Sequence, residues 1–413
     1  MISDLKGTFS QISNNNKRSA IREILKLTQN PEIISFAGGL PAPESFPVDA
    51  LDTIVSDMLR EEGAAVLQYD ATEGVKELRE VLLKKYEAEG TKADLENLII
   101  TTGSQQGLDL VGKVFVNQGD VVICGLPSYL GGIGAFQGYG AKMEGVPMDE
   151  QGMSAKLLEA KLEELKQQGI KPKFIYVIPD FQNPTGITMP ESRRLEIIAL
   201  AHKYDVLIVE DCPYREVRFE GEPQRMMYDL DNDNHVITLG TFSKIFAPGF
   251  RIGWILGPKD VNEKIVIAKQ SADLCTPTFV QKIAVRYMNS GVFEANLQKT
   301  IDLYHQRRDV MLAEMEKHMP DCVKWTRPEG GMFLFITLPE HMDALELFHK
   351  AIEKKVAFVT GNVFYCDGGG TNTIRLNFSY VNNEKAITGV KRLAEIIEAE
   401  VMTVDNEKLV MNN

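Results

Sequence analysis

The sequence is poor in the residues that staple a chain or mark a special class of protein. It has five cysteines among 413 residues, namely Cys124, Cys212, Cys275, Cys322 and Cys366. Their number is odd, no two form a CxxC pair, and a chain of this size folds without cross-links, so a disulfide scaffold is excluded. Free thiols, buried or half-buried in a reducing cytoplasm, are the expectation. Histidines number only six, and none groups with cysteine at zinc-ligand spacing, so no metal site is expected. No run approaches the ~18 apolar residues of a membrane span, and the amino terminus lacks an apolar stretch of signal-peptide length. Internal repeats are absent. Positive charge is also short. Lysine plus arginine total 45 against 58 acids, a net charge of −13. That balance argues against nucleic acid or a membrane as partner and leaves room for a local basic pocket holding a small phosphate.

What is present is the balance of a globular protein, 44% hydrophobic and 25% charged, in a chain long enough for two domains. Between residues 97 and 258, short apolar runs alternate with longer amphipathic ones. The short runs are Asn97–Thr101, Asp120–Cys124, Phe174–Pro179, Val206–Glu210, Val236–Leu239 and Arg251–Leu256. They are rich in Val and Ile and apolar on both faces, as strands covered by helices on both sides must be. Ser104–Val116, Ala155–Gln168 and Pro190–Tyr204 carry helical periodicity, and Pro190 with Glu191 suits a first helical turn. This alternation predicts an α/β domain, a mostly parallel sheet with helices on both faces. After about residue 290, helical patterns (Thr300–Met319, Asp343–Lys355, Asn383–Val401) surround strand candidates Met332–Leu338, Val356–Val359 and Thr373–Tyr380. A smaller α+β domain is predicted there. The division expected is an arm over residues 1–45, a large domain over 46–290 and a small one over 291–413. The arm holds a short amphipathic helix, Ala20–Thr28, and then a Gly/Pro-rich stretch.

Two nucleotide-binding motifs can be set aside. No P-loop run occurs, and Gly132-Ile133-Gly134-Ala135-Phe136 is followed by Gln137 where a dinucleotide fingerprint needs its third glycine. In open α/β sheets, ligands sit beyond the carboxyl ends of the strands, so the polar residues there are the candidates. Gly103-Ser104-Gln105 opens a helix, whose free N–H groups and dipole suit an anion; simple capping is the other reading. Tyr129, Asn183 in an Asn-Pro-Thr-Gly turn, Asp211 with Tyr214, and Thr241 with Ser243 and Lys244 follow other strands. Lys244 lies among Phe242, Ile245, Phe246 and Phe250. Apolar surroundings disfavour its ammonium form and lower its pKa, as a lysine that attacks carbonyl groups requires. With Arg251 and two hydroxyls nearby, this set suits a phosphate-bearing aldehyde cofactor.

The chain resembles the class I/II aminotransferases among the fold-type I pyridoxal 5′-phosphate enzymes. The matching runs are Tyr69-x4-Gly74-x3-Leu78-Arg79, Gly103-Ser104-Gln105, Asn183-Pro184-Thr185-Gly186, Asp211-x2-Tyr214, Ser243-Lys244-x3-Pro248-Gly249-x-Arg251-x-Gly253 and Arg375-Leu376-x-Phe378. They occur in family order over nearly the whole chain. The resemblance implies that Lys244 holds pyridoxal 5′-phosphate covalently and shuttles a proton, and that Asp211 keeps its ring nitrogen protonated. Asn183 and Tyr214 would bond its phenolic oxygen, and Tyr129 would stack on its ring. Ser104, Gln105, Thr241, Ser243 and Arg251 would hold its phosphate, joined by Tyr69 of the other subunit in a homodimer with shared sites. Read without the resemblance, Tyr69 is an aromatic near a helix start, and alternation along Thr373–Tyr380 would place Arg375 on a solvated face. The resemblance instead makes Arg375 the bidentate partner of a substrate carboxylate, with Gly38 and Gly39 letting the backbone approach the substrate.

The run around Arg22 and the Phe36–Pro41 segment are similar to the 2-aminoadipate and kynurenine aminotransferase subgroup, where that arginine reads a distal carboxylate. Arg22 also sits where a merely solvated arginine would, off the stripe of Ile21, Ile24, Leu25 and Thr28. The implied reaction takes nitrogen from an amino acid (2-aminoadipate, glutamate, branched-chain or aromatic) to a 2-oxo acid such as 2-oxoglutarate, with ping-pong kinetics. Alternatives are β-elimination or decarboxylation with the same cofactor, or a ligand-sensing regulator. Such a regulator would carry an added helix-turn-helix module, for which a core starting near residue 20 leaves no room.

Overall fold

The computed structural model describes residues 5–16 and 30–411. The arm helix expected over Ala20–Thr28, and Arg22 with it, lies outside the described residues. The strands in chain order are β1 (Ile34–Ser35), β2 (Leu98–Thr101), β3 (Val121–Leu126), β4 (Lys142–Asp149), β5 (Gly152–Met153), β6 (Phe174–Val177), β7 (Leu207–Asp211), β8 (Val236–Thr241), β9 (Gly253–Leu256), β10 (Lys324–Trp325), β11 (Phe333–Thr337), β12 (Val356–Ala357), β13 (Val359–Thr360) and β14 (Thr373–Asn377).

β2 to β9 form an eight-stranded sheet in the order β2-β9-β8-β7-β6-β3-β4-β5. β8, β7, β6, β3 and β4 run parallel, while β9 is inverted between β2 and β8 and β5 folds back on β4. Successive residues of the central strands feed opposite faces, which is why these runs are apolar throughout. Ile175, Ile208 and Val236 meet Leu158, Leu162 and Ile197 from the helices Ala155–Gln167 and Glu191–Tyr204. Their neighbours Tyr176, Val209 and Ile237 meet Leu108, Phe136 and Ile265 from Ser104–Phe115, Leu130–Gly138 and Lys259–Gln270. Pro190 caps its helix from just outside rather than sitting in the first turn. Two strands of this sheet were not anticipated, the two-residue β5 and the longer β4, and for β4 the reason is physical. β4 lies next to the sheet's edge, only Val146 along it is buried, and its sequence therefore shows no apolar run.

In the carboxyl-terminal part, β10, β11, β14 and β13 make an antiparallel sheet, with long helices Val292–His318 and Asn383–Met411 beside it. The expected strand Val356–Val359 is split. β12 pairs in parallel with β1, whereas β13 pairs with β14, and the buried Phe358 marks the change of partner. The expected Thr373–Tyr380 strand stops at Asn377. Its polar face is not solvated, contrary to the alternation argument. Thr373, Arg375, Asn377 and Ser379 are all buried; Gly361 stands against Thr373, and the segment after β1 lies across the other three: Arg375 Nη2 donates to Ala37 O at 2.8 Å, Asn377 N–H to Phe36 O at 2.8 Å and Ser379 Oγ to Leu40 O at 2.9 Å.

The cysteines are free. Cys124 is buried and Cys212, Cys275 and Cys366 half-buried, but Cys322 is exposed, against expectation, in the turn before β10. Among the described residues no helix is long and apolar enough to cross a membrane.

Candidate active site

The parallel strands all point one way, so their carboxyl ends gather the residues that follow them. β2 leads into the helix starting at Ser104, β3 into Tyr129, β6 into Asn183, β7 ends on Asp211, and β8 leads to Ser243 and Lys244. β9 runs antiparallel, so its start, just after Arg251, lies at the same edge.

Lys244 is half-buried on the 3-10 turn Phe242–Lys244, with Nζ donating to Gly39 O at 2.8 Å. Burial, then the charges of Arg375 and Arg251, lower its pKa to about 8. Far more of it than of an ordinary lysine, about a tenth at pH 7, is thus free amine, the form that attacks a carbonyl. Asp211 is buried at the end of β7. Tyr176 Oη donates to its Oδ2 at 2.9 Å, while Oδ1 has no hydrogen-bond partner among the described residues. Burial pushes this carboxyl up to about 7, against the pull of the Tyr176 hydrogen bond. A buried carboxylate with an unused oxygen calls for a proton or a cation beside it. A protonated ring nitrogen supplies both.

At one end of this edge two turns bring hydroxyls and a guanidinium together, groups that could hold an anion. Thr241 Oγ1 donates to Ser243 Oγ at 3.0 Å, and Arg251 Nη1 donates to the same Ser243 Oγ at 3.3 Å. Arg251 takes a left-handed φ of 53°, which swings its guanidinium back toward the helix start. There Gly103, at φ 74°, stands against it so closely that a Cβ would collide with the Arg251 side chain. Ser104 is half-buried and Gln105 exposed, with Gln105 Nε2 donating to Gly131 O at 3.1 Å.

On the other side lies Arg375 of β14. Its Nη1 donates to Asn183 Oδ1 at 2.9 Å and its Nη2 to Ala37 O at 2.8 Å. Its Nε has no partner among the described residues, which leaves a donor for an incoming carboxylate. The guanidinium lies 4.3 Å from the Phe333 ring centroid and 5.1 Å from that of Phe364, and burial lowers its pKa to about 10. It is still a cation at neutral pH. Asn183 Nδ2 donates to Tyr214 Oη at 3.3 Å, so Arg375, Asn183 and Tyr214 form one chain of contacts. Gly38 is buried, and a Cβ on Gly39 would stand 3.2 Å from Phe333 Cζ. Tyr129 is half-buried. Tyr69 is 76% exposed and makes no hydrogen bond to this cluster among the described residues.

Sequence reasoning did not find Tyr176, Phe333, Phe364 or Gln182. Tyr176 reads as one more apolar position of a buried strand; its signal was a hydroxyl in a run that otherwise has none. The two phenylalanines were invisible because their use is to flank a guanidinium from another strand and from a turn. Gln182 accepts from Thr185 N–H at 2.9 Å and donates to Pro127 O at 2.9 Å, which holds the Asn183 turn against the end of β3. Two histidine–carboxylate groupings, His202–Asp233–His235 and Glu220–His305–Asp309, also bring potential ligand atoms together elsewhere.

An open sheet with this lysine, carboxylate and anion cradle at its carboxyl edge is a fold-type I pyridoxal 5′-phosphate transferase. Residues 42–393 match the family model described as aminotransferase class I and II. The chain belongs to that family and is an aminotransferase. It is 47% identical over 402 residues to aromatic-amino-acid aminotransferase 1 of Thermococcus litoralis, covering 96% of each chain. Among solved structures, it is similar to a kynurenine aminotransferase of Pyrococcus horikoshii in complex with PMP. That likeness has a TM-score of 0.93 and 45% identity, and covers 97% of this chain and 99% of that one. It is also similar to an α-aminoadipate aminotransferase of Thermus thermophilus complexed with N-(5′-phosphopyridoxyl)-L-leucine. There the TM-score is 0.88 and the identity 37%, over 97% of this chain and 100% of that one. The cofactor is pyridoxal 5′-phosphate, and the unused Asp211 Oδ1 fits a protonated pyridine nitrogen.

Proposed function

We propose that the enzyme moves the α-amino group of an amino acid to a 2-oxo acid in ping-pong order, with 2-oxoglutarate as the usual acceptor. The donors proposed are 2-aminoadipate, glutamate, and branched-chain and aromatic amino acids; the names of the similar proteins support the aromatic and 2-aminoadipate members of that range. When bound, pyridoxal 5′-phosphate supplies an electrophilic carbonyl and a ring that accepts electron density from the substrate Cα. Lys244 Nζ holds the cofactor and, once released from it, takes and returns the Cα proton. Asp211 Oδ1 holds a proton on the ring nitrogen, with Tyr176 fixing the carboxylate's orientation. Asn183 and Tyr214 donate to the phenolic oxygen, and Tyr129 covers the ring face. Ser104, Gln105, Thr241, Ser243 and Arg251 hold the phosphate together with Tyr69 of the partner subunit, in a homodimer of the cytoplasm. Arg375 forks onto the substrate α-carboxylate beside Gly38 and Gly39, and Arg22 reads a distal carboxylate.

One observation carries this reading: a half-buried amine with its pKa lowered to about 8 shares a sheet edge with a buried carboxylate that has one oxygen unused. The test is a half-reaction panel, in which single amino acids are added to the yellow holoenzyme and loss of the visible band is followed. Rapid loss with 2-aminoadipate and aromatic donors, with stoichiometric 2-oxo acid formed and glutamate made on adding 2-oxoglutarate, is expected. Pyruvate and ammonia, or carbon dioxide, in place of those products would overturn it. Arg22→Ala should lose activity selectively toward dicarboxylic donors, and equal losses for leucine and 2-aminoadipate would remove Arg22 from that role.

A further inference from the structure

Cys124 and Cys366 are 242 residues apart in the chain, yet their Sγ atoms lie 3.8 Å apart. Their settings differ. Cys124 is buried in β3, inside the core formed with Leu108 and Phe136, and cannot move without the sheet. Cys366 is half-buried in a turn that runs into Gly368, Gly369 and Gly370, of which Gly368 and Gly370 take φ of 81° and 69°. A disulfide needs about 2.05 Å between sulfurs. The glycine-rich turn is the side that can close the gap. The Cys124 thiol hydrogen-bonds to Cys366, which lowers the Cys366 pKa, and that contact together with burial raises the Cys124 pKa. The reachable sulfur is therefore the better nucleophile and the buried one is placed to follow it, the division of labour of an attacking and a resolving cysteine.

The pair also sits where it bears on the site. Phe364, two residues before Cys366, lies against the Arg375 guanidinium, and its carbonyl accepts the N–H of Ser128 at 2.8 Å. Ser128 follows Cys124 by four residues and precedes Tyr129. A bond between the sulfurs would tie the Phe364 segment to the strand that leads to Tyr129.

We propose that Cys124 and Cys366 form a thiol modification site for low-molecular-weight disulfides such as oxidised glutathione, and that its closure changes amino-acid binding at Arg375. The second half rests on Arg375 reading the substrate carboxylate. In the first step the Cys366 thiolate attacks one sulfur of the small disulfide, breaking its S–S bond and releasing one thiolate. The Cys124 thiol then loses its proton to that thiolate or to solvent. Its sulfur attacks Cys366 Sγ, breaks the mixed disulfide and releases the second small thiolate. Two protein thiols are oxidised by two electrons and one small disulfide is reduced to two thiols.

The test treats the holoenzyme with oxidised glutathione and counts thiols after denaturation. Apart from any reducible adduct on the exposed Cys322, two of the five thiols should be lost, and a non-reduced peptide map should join the Cys124 and Cys366 peptides within one chain. The KM for the amino donor should change by roughly threefold or more and return with dithiothreitol. Cys366→Ser should show neither the cross-link nor the KM change, and Cys124→Ala should stop at a glutathione adduct on Cys366. Cys124 and Cys366 thiols that both stay free, an adduct on Cys366 that never resolves in the wild type, or a cross-link that leaves KM unchanged would overturn the proposal. Arg375→Lys in the reduced enzyme separates the two ideas: an unchanged KM there faults the role of Arg375 and not the thiol pair.

Discussion

At the scale of single residues, the candidate site places ionisable groups where their ordinary protonation states are unfavourable. Lys244 is the clearest case, and its pKa shift has a consequence for stability. Held at about 8 when folded and near ~10.4 in an unfolded chain, it binds fewer protons in the folded protein between those values. Stability from this group therefore rises with pH across that window, and the cost of carrying it charged is fully present below pH 8. In cofactor-free protein at pH 7, Lys244→Met should raise Tm by roughly 2–4 °C while abolishing turnover, and the gap should close above about pH 10. A thermal-unfolding series that shows no gap, or a gap that widens with pH, would refute this assignment. Much of this scale was legible in the sequence. Lys244, Asp211, Asn183 and Arg375 were all found as polar residues at strand ends or through the run of family motifs. Alternation misplaced Arg375 as solvated because periodicity reports which residues share a face and not what covers it. Here the cover is the Phe36–Leu40 segment, more than 300 residues earlier in the chain.

At the scale of elements, the parallel sheet does the positioning, and glycines let its loops touch. Gly103 serves two needs, a positive φ at the start of the Ser104 helix and room for the Arg251 guanidinium. Gly103→Ala should leave the core intact yet push Arg251 off the helix amino terminus. Its affinity for pyridoxal 5′-phosphate should fall by about tenfold or more, since a charge-assisted contact is worth about 1.5–3 kcal/mol. Fluorescence titration of the cofactor-free variant measures this directly, and wild-type affinity would show that Arg251 does not hold the phosphate. The central strands were legible because burial on both faces leaves near-continuous apolar runs. β4 was not, since a strand next to the edge with one buried residue leaves no such run, and neither was the split of β12 from β13, which depends on two different partners. The thiol contact between β3 and the turn after Phe364 was equally hidden, because spacing along the chain says nothing about a pair 242 residues apart.

At the scale of the whole molecule, the exposed Tyr69 is a residue that one chain alone leaves unexplained. If it completes the site of a partner, mixing two inactive variants restores activity. A hybrid of Lys244→Ala with a strongly impaired Tyr69 variant contains one site with both residues intact and one with neither. Refolding or subunit exchange of an equal mixture should return about a quarter of wild-type activity per chain. No recovery, in a mixture shown to exchange subunits, would place Tyr69 outside the site. All of this depends on the amine of Lys244 carrying the cofactor. Borohydride reduction of the yellow holoenzyme, followed by peptide mapping, tests that claim most directly. A pyridoxyl label on Lys244 is predicted; a label on another lysine, or none, would contradict the account.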